Sequence, residues 1–300
     1  MDSGTGSHTG DDYNGHGDGD GGMQDGPAPG EAFEEMLEPK LHHRRRRELA
    51  DGFKKNKVVN EVLDKRTVMT LYKMITDGIL SGVNGSVSAG KESLVFWGLG
   101  PTGADVALKI YLVSTSNFKR RQAYMEGDPR FASVRGGTRN MVYLWARKEF
   151  RNLTQCAEAG IPVPRPIHVA NNVLAMEFID AGHAPGSGIG DDGGGARGRP
   201  AAQLLHWPVD YSDYRGALSM LRDMYAKANL VHGDYSEYNI FKVRGRGLVV
   251  FDLGSAVDRR HPNARMFLQR DINNITRFFE KKGVSVDDPG RIMEEMTSSS

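Results

Sequence analysis

The chain has 300 residues, 39 Lys and Arg against 38 Asp and Glu, and a formal net charge of +1, which selects no class of partner. Its single cysteine, Cys156, excludes an intrachain disulfide and a cysteine-based zinc cluster. No apolar run approaches the ~20 residues of a membrane helix, and the acidic, Gly-rich start lacks a signal-peptide pattern, so a soluble cytoplasmic protein is expected.

Residues 1–30 are almost devoid of apolar side chains and are expected to be disordered, with His8 and His16 inert. The following charge-dense stretch contains Arg44, Arg45, Arg46 and Arg47, a candidate RNA-contacting arm that reads equally as a solvated linker. Apolar residues from Val58 to Ile79 follow helical spacing, with Asn60 or Asp64 as cap and Gly78 and Gly82 as stops. From Gly82 the pattern becomes strand, Gly-rich loop, strand, turn, strand, with the loop over 85–92, strands over Ser93–Trp97 and Asp105–Tyr111, and a Gly-Pro turn between these two. Residues 113–138 read as a long polar loop. Met141–Glu158 returns to helical spacing, with Cys156 on its buried face, and Gly160 stops it. Ile161–Pro166 reads as an extended connector, and Val173–Ile179 as a buried strand. Residues 180–203 form a Gly-rich insertion, followed by helices over Asp210–Asn229 and Ala264–Lys281. Between these helices, Arg244-Gly245-Arg246-Gly247 joins two short apolar runs as a hairpin.

The chemistry gathers around that hairpin. Asp234, Asn239 and Asp252 each stand at the mouth of an apolar run. Carboxylate and amide oxygens are hard ligands suited to Mg²⁺, which usually arrives with phosphate. Gly85–Lys91 fits the P-loop spacing, but Glu92 stands where that motif needs a hydroxyl, and a strand follows where it needs a helix. The Gly-rich loop of kinases lies between two strands instead, and its companions follow in order. They are Lys109 in Val106-Ala107-Leu108-Lys109, Glu149 in the next helix, Asp234 and Asn239 at D-x4-N spacing, and Asp252 opening Asp252-Leu253-Gly254. Lys109 would bind the α/β-phosphates and pair with Glu149; Asn239 and Asp252 would hold Mg²⁺; Asp234 would orient or deprotonate the nucleophile. Met176 would line the rear of the pocket, and the backbone of Glu177, Phe178 and Ile179 would contact adenine. No A-P-E element follows Asp252, the chain beyond it is short for a peptide platform, and Gly233 replaces the usual Arg of H-R-D.

These segments resemble the RIO-type atypical protein kinases. The resemblance covers about residues 58–290. It rests on S-A-G-K-E-S-L-V-F (88–96), L-K-I-Y-L-V-S-T-S-N-F (108–118), W-A-R-K-E-F-R-N-L (145–153), A-G-I-P-V-P-R-P-I (159–167), L-V-H-G-D-Y-S-E-Y-N-I (230–240) and F-D-L-G-S-A-V (251–257). The run from His261 to Phe279 is also similar to the family's last helices. The pattern is nearest the first RIO subfamily, and the compact length resembles its archaeal members.

The resemblance implies an α+β fold, a truncated bilobal kinase with an extra helix before the Gly loop and a flexible loop after the third strand. Residues 57–179 would form the upper lobe, 204–290 the lower lobe and 291–300 a tail, behind a basic extension over 1–56. It implies a non-specific serine/threonine kinase with ATPase activity, using ATP and Mg²⁺, or Mn²⁺ in its place. Ser88, Lys91 and Lys109 would contact the nucleotide, and Asp252 could become an aspartyl-phosphate. The implied partner is the small ribosomal subunit precursor and its rRNA. Two other readings are an ATP-gated assembly factor with little kinase activity and a small-molecule kinase of aminoglycoside or choline type, whose D-x-D ending is absent.

Overall fold

The computed structural model describes residues 63–113, 123–131, 137–180 and 198–298. The expectations for residues 1–56, including the Arg44–Arg47 arm, for most of the 113–138 loop and for the centre of the 180–203 insertion lie outside these.

Helix α1, Lys65–Thr76, is capped by Asp64, whose Oδ1 accepts the Thr67 N–H at 2.8 Å and its hydroxyl at 2.6 Å. Five antiparallel strands follow: β1 Gly82–Ala89, β2 Ser93–Leu99, β3 Asp105–Tyr111, β4 Pro166–Ala170 and β5 Val173–Glu177, in the order β1-β2-β3-β5-β4. Helix α2, Thr138–Glu158, is inserted between β3 and β4. Strand alternation sorts the side chains of β3 into two sets. Val106, Leu108 and Ile110 join Leu71 and Met74 of α1 in one core. Ala107 and Tyr111 join Val142, Trp145 and Leu153 of α2 in the other, which runs on into the lower lobe.

Two local expectations change. Residues 85–89, expected in the loop, continue the strand that starts at Gly82; its pairing with β2 is irregular around Ser86, and the turn is confined to residues 90–92, closed by Gly90 N–H donating to Ser93 O at 2.9 Å. Residues 166–170, of which Pro166 falls at the end of the expected connector and 167–170 in no expected element, pair with β5 as β4. Three prolines across 161–166 masked the strand, since Pro reads as strand-breaking unless it opens an edge strand, as Pro166 does. No helix follows Lys91, which removes the P-loop reading.

The neck between lobes is closed at its base. Asp180 bridges to Pro200, and Ala201 N–H donates to Ile179 O at 2.8 Å. The lower lobe comprises α3 Tyr211–Ala226, β6 Leu230–Val231, the hairpin β7 Ile240–Val243 and β8 Gly247–Val250, β9 Val257–Asp258 paired with β6, α4 Ala264–Lys281, and α5 Pro289–Ser298. An Asp210–Asp213 capping box starts α3. The arrangement is the truncated two-lobed α+β fold expected.

Residues 291–298, expected as tail, belong instead to α5, which buries Ile292, Met293 and Met296 in the same core as Phe278 and Phe279 of α4. The apolar residues of this short segment were too few to register as a helical period. Replacing Ile292, 3% exposed, by Ala should lower unfolding free energy by roughly 2–5 kcal/mol, as for other large-to-small core changes. Urea denaturation with an unchanged m-value would measure it; a shift below about 0.5 kcal/mol would show that α5 contributes little.

Candidate active site

Lys109 shares the face of β3 that meets α2, only 6% exposed. Its Nζ lies 3.0 and 2.9 Å from the two carboxylate oxygens of Glu149 and 2.8 Å from Asp252 Oδ1. The Tyr111 hydroxyl donates to the same Glu149 carboxylate. Burial alone would lower the Lys109 pKa, but the Asp252 and Glu149 carboxylates outweigh it and hold the ammonium above its ordinary value. Burial, reinforced by Asp252, pushes Glu149 up to about 7 against the pull of Lys109 and the Leu253 N–H.

Asp252 follows β8 with φ 60° and ψ 59°, left-handed geometry that a non-Gly residue keeps only where surrounding contacts impose it. Phe251 N–H donates to Asn239 O at 2.9 Å, so the two ends of the hairpin carry Asn239 and Asp252 side by side. Asn239 Nδ2 donates to Asp234 O at 2.8 Å and to Asp234 Oδ2 at 3.3 Å, which leaves its Oδ1 as the acceptor of the amide. Asp234 is exposed, and the Asp252 side chain is 47% exposed. One carboxylate and one amide oxygen fit Mg²⁺, which completes its octahedron with water and phosphate oxygens. Asn239 and Asp252 are the residues that would hold it.

The remaining nucleotide-side expectations fall around this cluster. Ser88 pairs with Val95, and Val95 with Lys109, so one cross-strand row carries Ser88 onto the face of Lys109. Lys91 is exposed at the β1–β2 turn. Met176 pairs with Ala107 on the same face and is buried. The segment after β5 is partly committed: Glu177 N–H donates to Arg165 O and Ile179 O accepts from Ala201 N–H, both at 2.8 Å. Phe178 is buried in the core. The Glu177 side chain bonds Arg246 at 2.6 Å; half-burial opposes ionisation, but Arg246 and the Arg165 N–H hold its carboxyl below the ordinary value.

Residues that the sequence reading passed over hold the site from behind. Asp271 of α4, fully buried, accepts the Gly233 N–H at 2.7 Å and the Tyr235 N–H at 2.9 Å, gripping the backbone on both sides of Asp234. Burial pushes this carboxyl up to about 7 despite those bonds. Gly233 has φ 76°, and a Cβ there would stand 2.8 Å from Ser255 O, a physical reason for Gly where H-R-D carries Arg. Buried Lys148 donates to Gly254 O at 2.9 Å and to Ala256 O. Asn152 Nδ2 donates to Leu253 O at 2.8 Å and Ala256 O at 3.0 Å. Burial, with Arg130 nearby, lowers Lys148 to about 7. The available signal was a polar residue on an otherwise apolar helical stripe: Asp271 beside Phe267, Leu268 and Ile275, and Lys148 and Asn152 beside Trp145.

Residues 94–291 match the RIO domain family. The chain belongs to that family. Its RIO relatives include the Rio1 RIO-type serine/threonine-protein kinase of Haloferax volcanii, 41% identical over 238 residues, 79% of this chain and 76% of that protein. The serine/threonine-protein kinase RIO1 of Saccharomyces cerevisiae is 35% identical over 257 residues, 76% of this chain but only 50% of the yeast protein. The RIO fold is also that of the Rio2 kinase–ADP/Mg²⁺–phosphoaspartate complex of Chaetomium thermophilum, with TM-score 0.57 at 22% identity, over 78% of this chain and 66% of that one.

Gly254 approaches α2 so closely that a Cβ would lie 2.7 Å from Trp145 Nε1 and 3.2 Å from Glu149 Oε2. Gly254→Ala should therefore displace the loop that carries Asp252, cost about 1–3 kcal/mol as overpacking does, and lower ATP turnover more than ATP affinity. Steady-state kinetics beside a melting curve would test this, and unchanged kcat would refute it.

His232 gives a pH signature. Its Nδ1 accepts the Asp234 N–H at 3.3 Å, and Nε2 lies 3.2 Å from Phe251 O, a pattern that needs neutral imidazole. Burial lowers its pKa from 6.5 to about 4. Between these values the unfolded chain binds the proton and the folded chain does not, so this stabilisation is complete above pH 6.5 and lost towards pH 4. The loss is on the order of 3 kcal/mol, at about 1.4 kcal/mol per unit. As pH falls from 6.5 towards 4 the native chain should lose stability while His232→Gln lacks that slope, and the two curves should run parallel above pH 6.5; curves parallel over the whole range would contradict a buried neutral His232.

Proposed function

We propose that this RIO chain is an ATP- and Mg²⁺-dependent enzyme that transfers the γ-phosphoryl group to Ser/Thr hydroxyls, to its own Asp252 or to water, in maturation of the small ribosomal subunit. The observation that carries this reading is the meeting of Lys109 with both Glu149 and Asp252, beside Asp234 and Asn239 at one cleft. The kinase names of the Haloferax and yeast relatives support it. The ribosomal part rests on the resemblance and on the Arg44–Arg47 arm as a contact for rRNA phosphates.

Lys109 would hold the α/β-phosphates as a fixed ammonium, kept charged by its two carboxylates and oriented by Glu149. Ser88 and Lys91 would add contacts from the β1–β2 side, Met176 would close the rear, and the backbone of 177–179 would border the adenine. Mg²⁺, or Mn²⁺ on the same hard oxygen set, would neutralise charge on the transferring group when held by Asn239 and Asp252. Asp234 would take the proton of an attacking hydroxyl or orient a water. It is exposed to the cleft while Asp271 and Asn239 fix its backbone and side chain.

Self-transfer follows from the position of Asp252. One carboxylate oxygen would attack the γ-phosphorus, the bond to the β-phosphate oxygen would break, and ADP would leave. Water would then split the acyl phosphate, giving up a proton to Asp234, releasing inorganic phosphate and restoring Asp252. The Chaetomium complex contains a phosphoaspartate with ADP and Mg²⁺, which supports this branch.

With γ-labelled ATP and Mg²⁺, label should appear on the chain as a hydroxylamine-labile acyl phosphate and as free phosphate. Label on purified small-subunit precursors would identify a protein acceptor. Asp252→Asn should remove the acyl phosphate and reduce turnover by at least ~10²-fold, in the range of lost catalytic electrostatics; ATPase activity equal to the native chain would overturn the assignment.

A further inference from the structure

A cavity of about 770 Å³ lies away from the ATP cleft, lined by Phe150 and Arg151 of α2, by Arg130, and by Arg259 and Arg260 just after β9. It opens at the far end of the β6–β9 ladder. Leu230 pairs with Asp258 there, whereas the opposite end leads to His232 and Asp234. Four residues separate Asn229 of the cavity from Asp234 of the cleft, of which Leu230 and Val231 form β6.

Four guanidinium groups face two lining carboxylates, Asp258 and Glu158. Two of the four are fixed in orientation. Arg130 bonds Asp128 through Nε and Nη2 at 2.9 and 2.7 Å and Asn152 through Nη1 at 2.8 Å; Arg260 bonds Asp258 through Nε and Nη2 at 2.9 and 3.0 Å. The side chains of Arg151 and Arg259 are exposed and make no ion pair among the described residues. Planar forks of this kind match phosphate oxygens two at a time. The half-buried Phe150 ring offers a stacking surface, and Asn229 adds an amide, while Gln155 bonds Ala228 O and Arg130 and so helps to fix the wall. The volume suits one nucleotide unit.

We propose that this cavity is a second ligand site, separate from the ATP cleft, which takes the phosphate and base of a nucleotide, free or within a strand. Arg151 and Arg259 supply the phosphate contacts, Arg130 and Arg260, each paired with an aspartate, a fixed wall, and Phe150 the base platform.

The test uses the full chain with its ATP cleft saturated by ADP and Mg²⁺, and a 3′-labelled, 5′-phosphorylated pentauridylate read by fluorescence anisotropy. Arg151→Ala/Arg259→Ala should weaken binding at least tenfold. It should also reduce the salt slope by about 1.4, at ~0.7 per single-strand phosphate contact. ADP affinity and melting temperature should stay unchanged, since both side chains are exposed. Phe150→Leu should weaken binding without changing the slope. Competition by cytidine 5′-monophosphate, effective on the native chain, would assign the site to a free nucleotide; competition only by unlabelled strand would assign it to nucleic acid. Equal affinity and equal salt slope for the native chain and the double variant would overturn the proposal, whatever the Arg44–Arg47 arm contributes, because that arm is identical in both.

Discussion

Lys109 carries a charge that joins β3, α2 and the segment after β8 at once. A buried ammonium is tolerable only with its counter-ions in contact; separating it from Glu149 would leave two desolvated charges, a cost of several kcal/mol. The upper-lobe sheet, α2 and the loop of Asp252 are therefore bound to one geometry by one nitrogen. Asp252 reaches Lys109 with one oxygen while its side chain stays half exposed. The same residue closes the interior ion pair and presents charge to the cleft.

The rest of α2 reinforces that constraint without charge pairing. Lys148 and Asn152 sit one turn apart and both bond carbonyls of residues 253–256. From below, Asp271 does the same for the N–H groups around Asp234. Two glycines make this close approach feasible: Gly233 against Ser255 O, and Gly254 against Trp145. The loops that carry Asp234 and Asp252 are thus held through their backbones by helices on either side.

Asn152 also joins the two sites on α2. Its amide nitrogen serves the loop that follows Asp252, and its oxygen accepts from Arg130 in the wall of the arginine-lined cavity. A single buried side chain therefore sits between that loop and the cavity. Arg130 cannot shift without breaking bonds to Asp128 and Asn152 together, which gives the cavity a rigid floor.

Much of the site was legible because its residue types occur in a fixed order on elements with clear periodicity. Lys109 in an alternating strand, Glu149 on a 3.6-period helix, and Asp234, Asn239 and Asp252 around a Gly-rich hairpin turn needed only local patterns, since the backbone dictates where successive side chains point. The Asp64 cap, the Gly160 stop and the buried Cys156 were readable for the same reason. Strand β4, helix α5, the strand character of 85–89, and the supporting roles of Lys148, Asn152 and Asp271 were not. Each depends on a partner far away in sequence: β5 for β4, α4 for α5, the carbonyls of 253–256 for Lys148. A lysine or aspartate in a helix reads as a solvated charge until the fold buries it against backbone groups. The sequence alone determined which chemistry the chain carries; the tertiary structure decided which polar groups are buried, and so which of them hold the reactive ones in place.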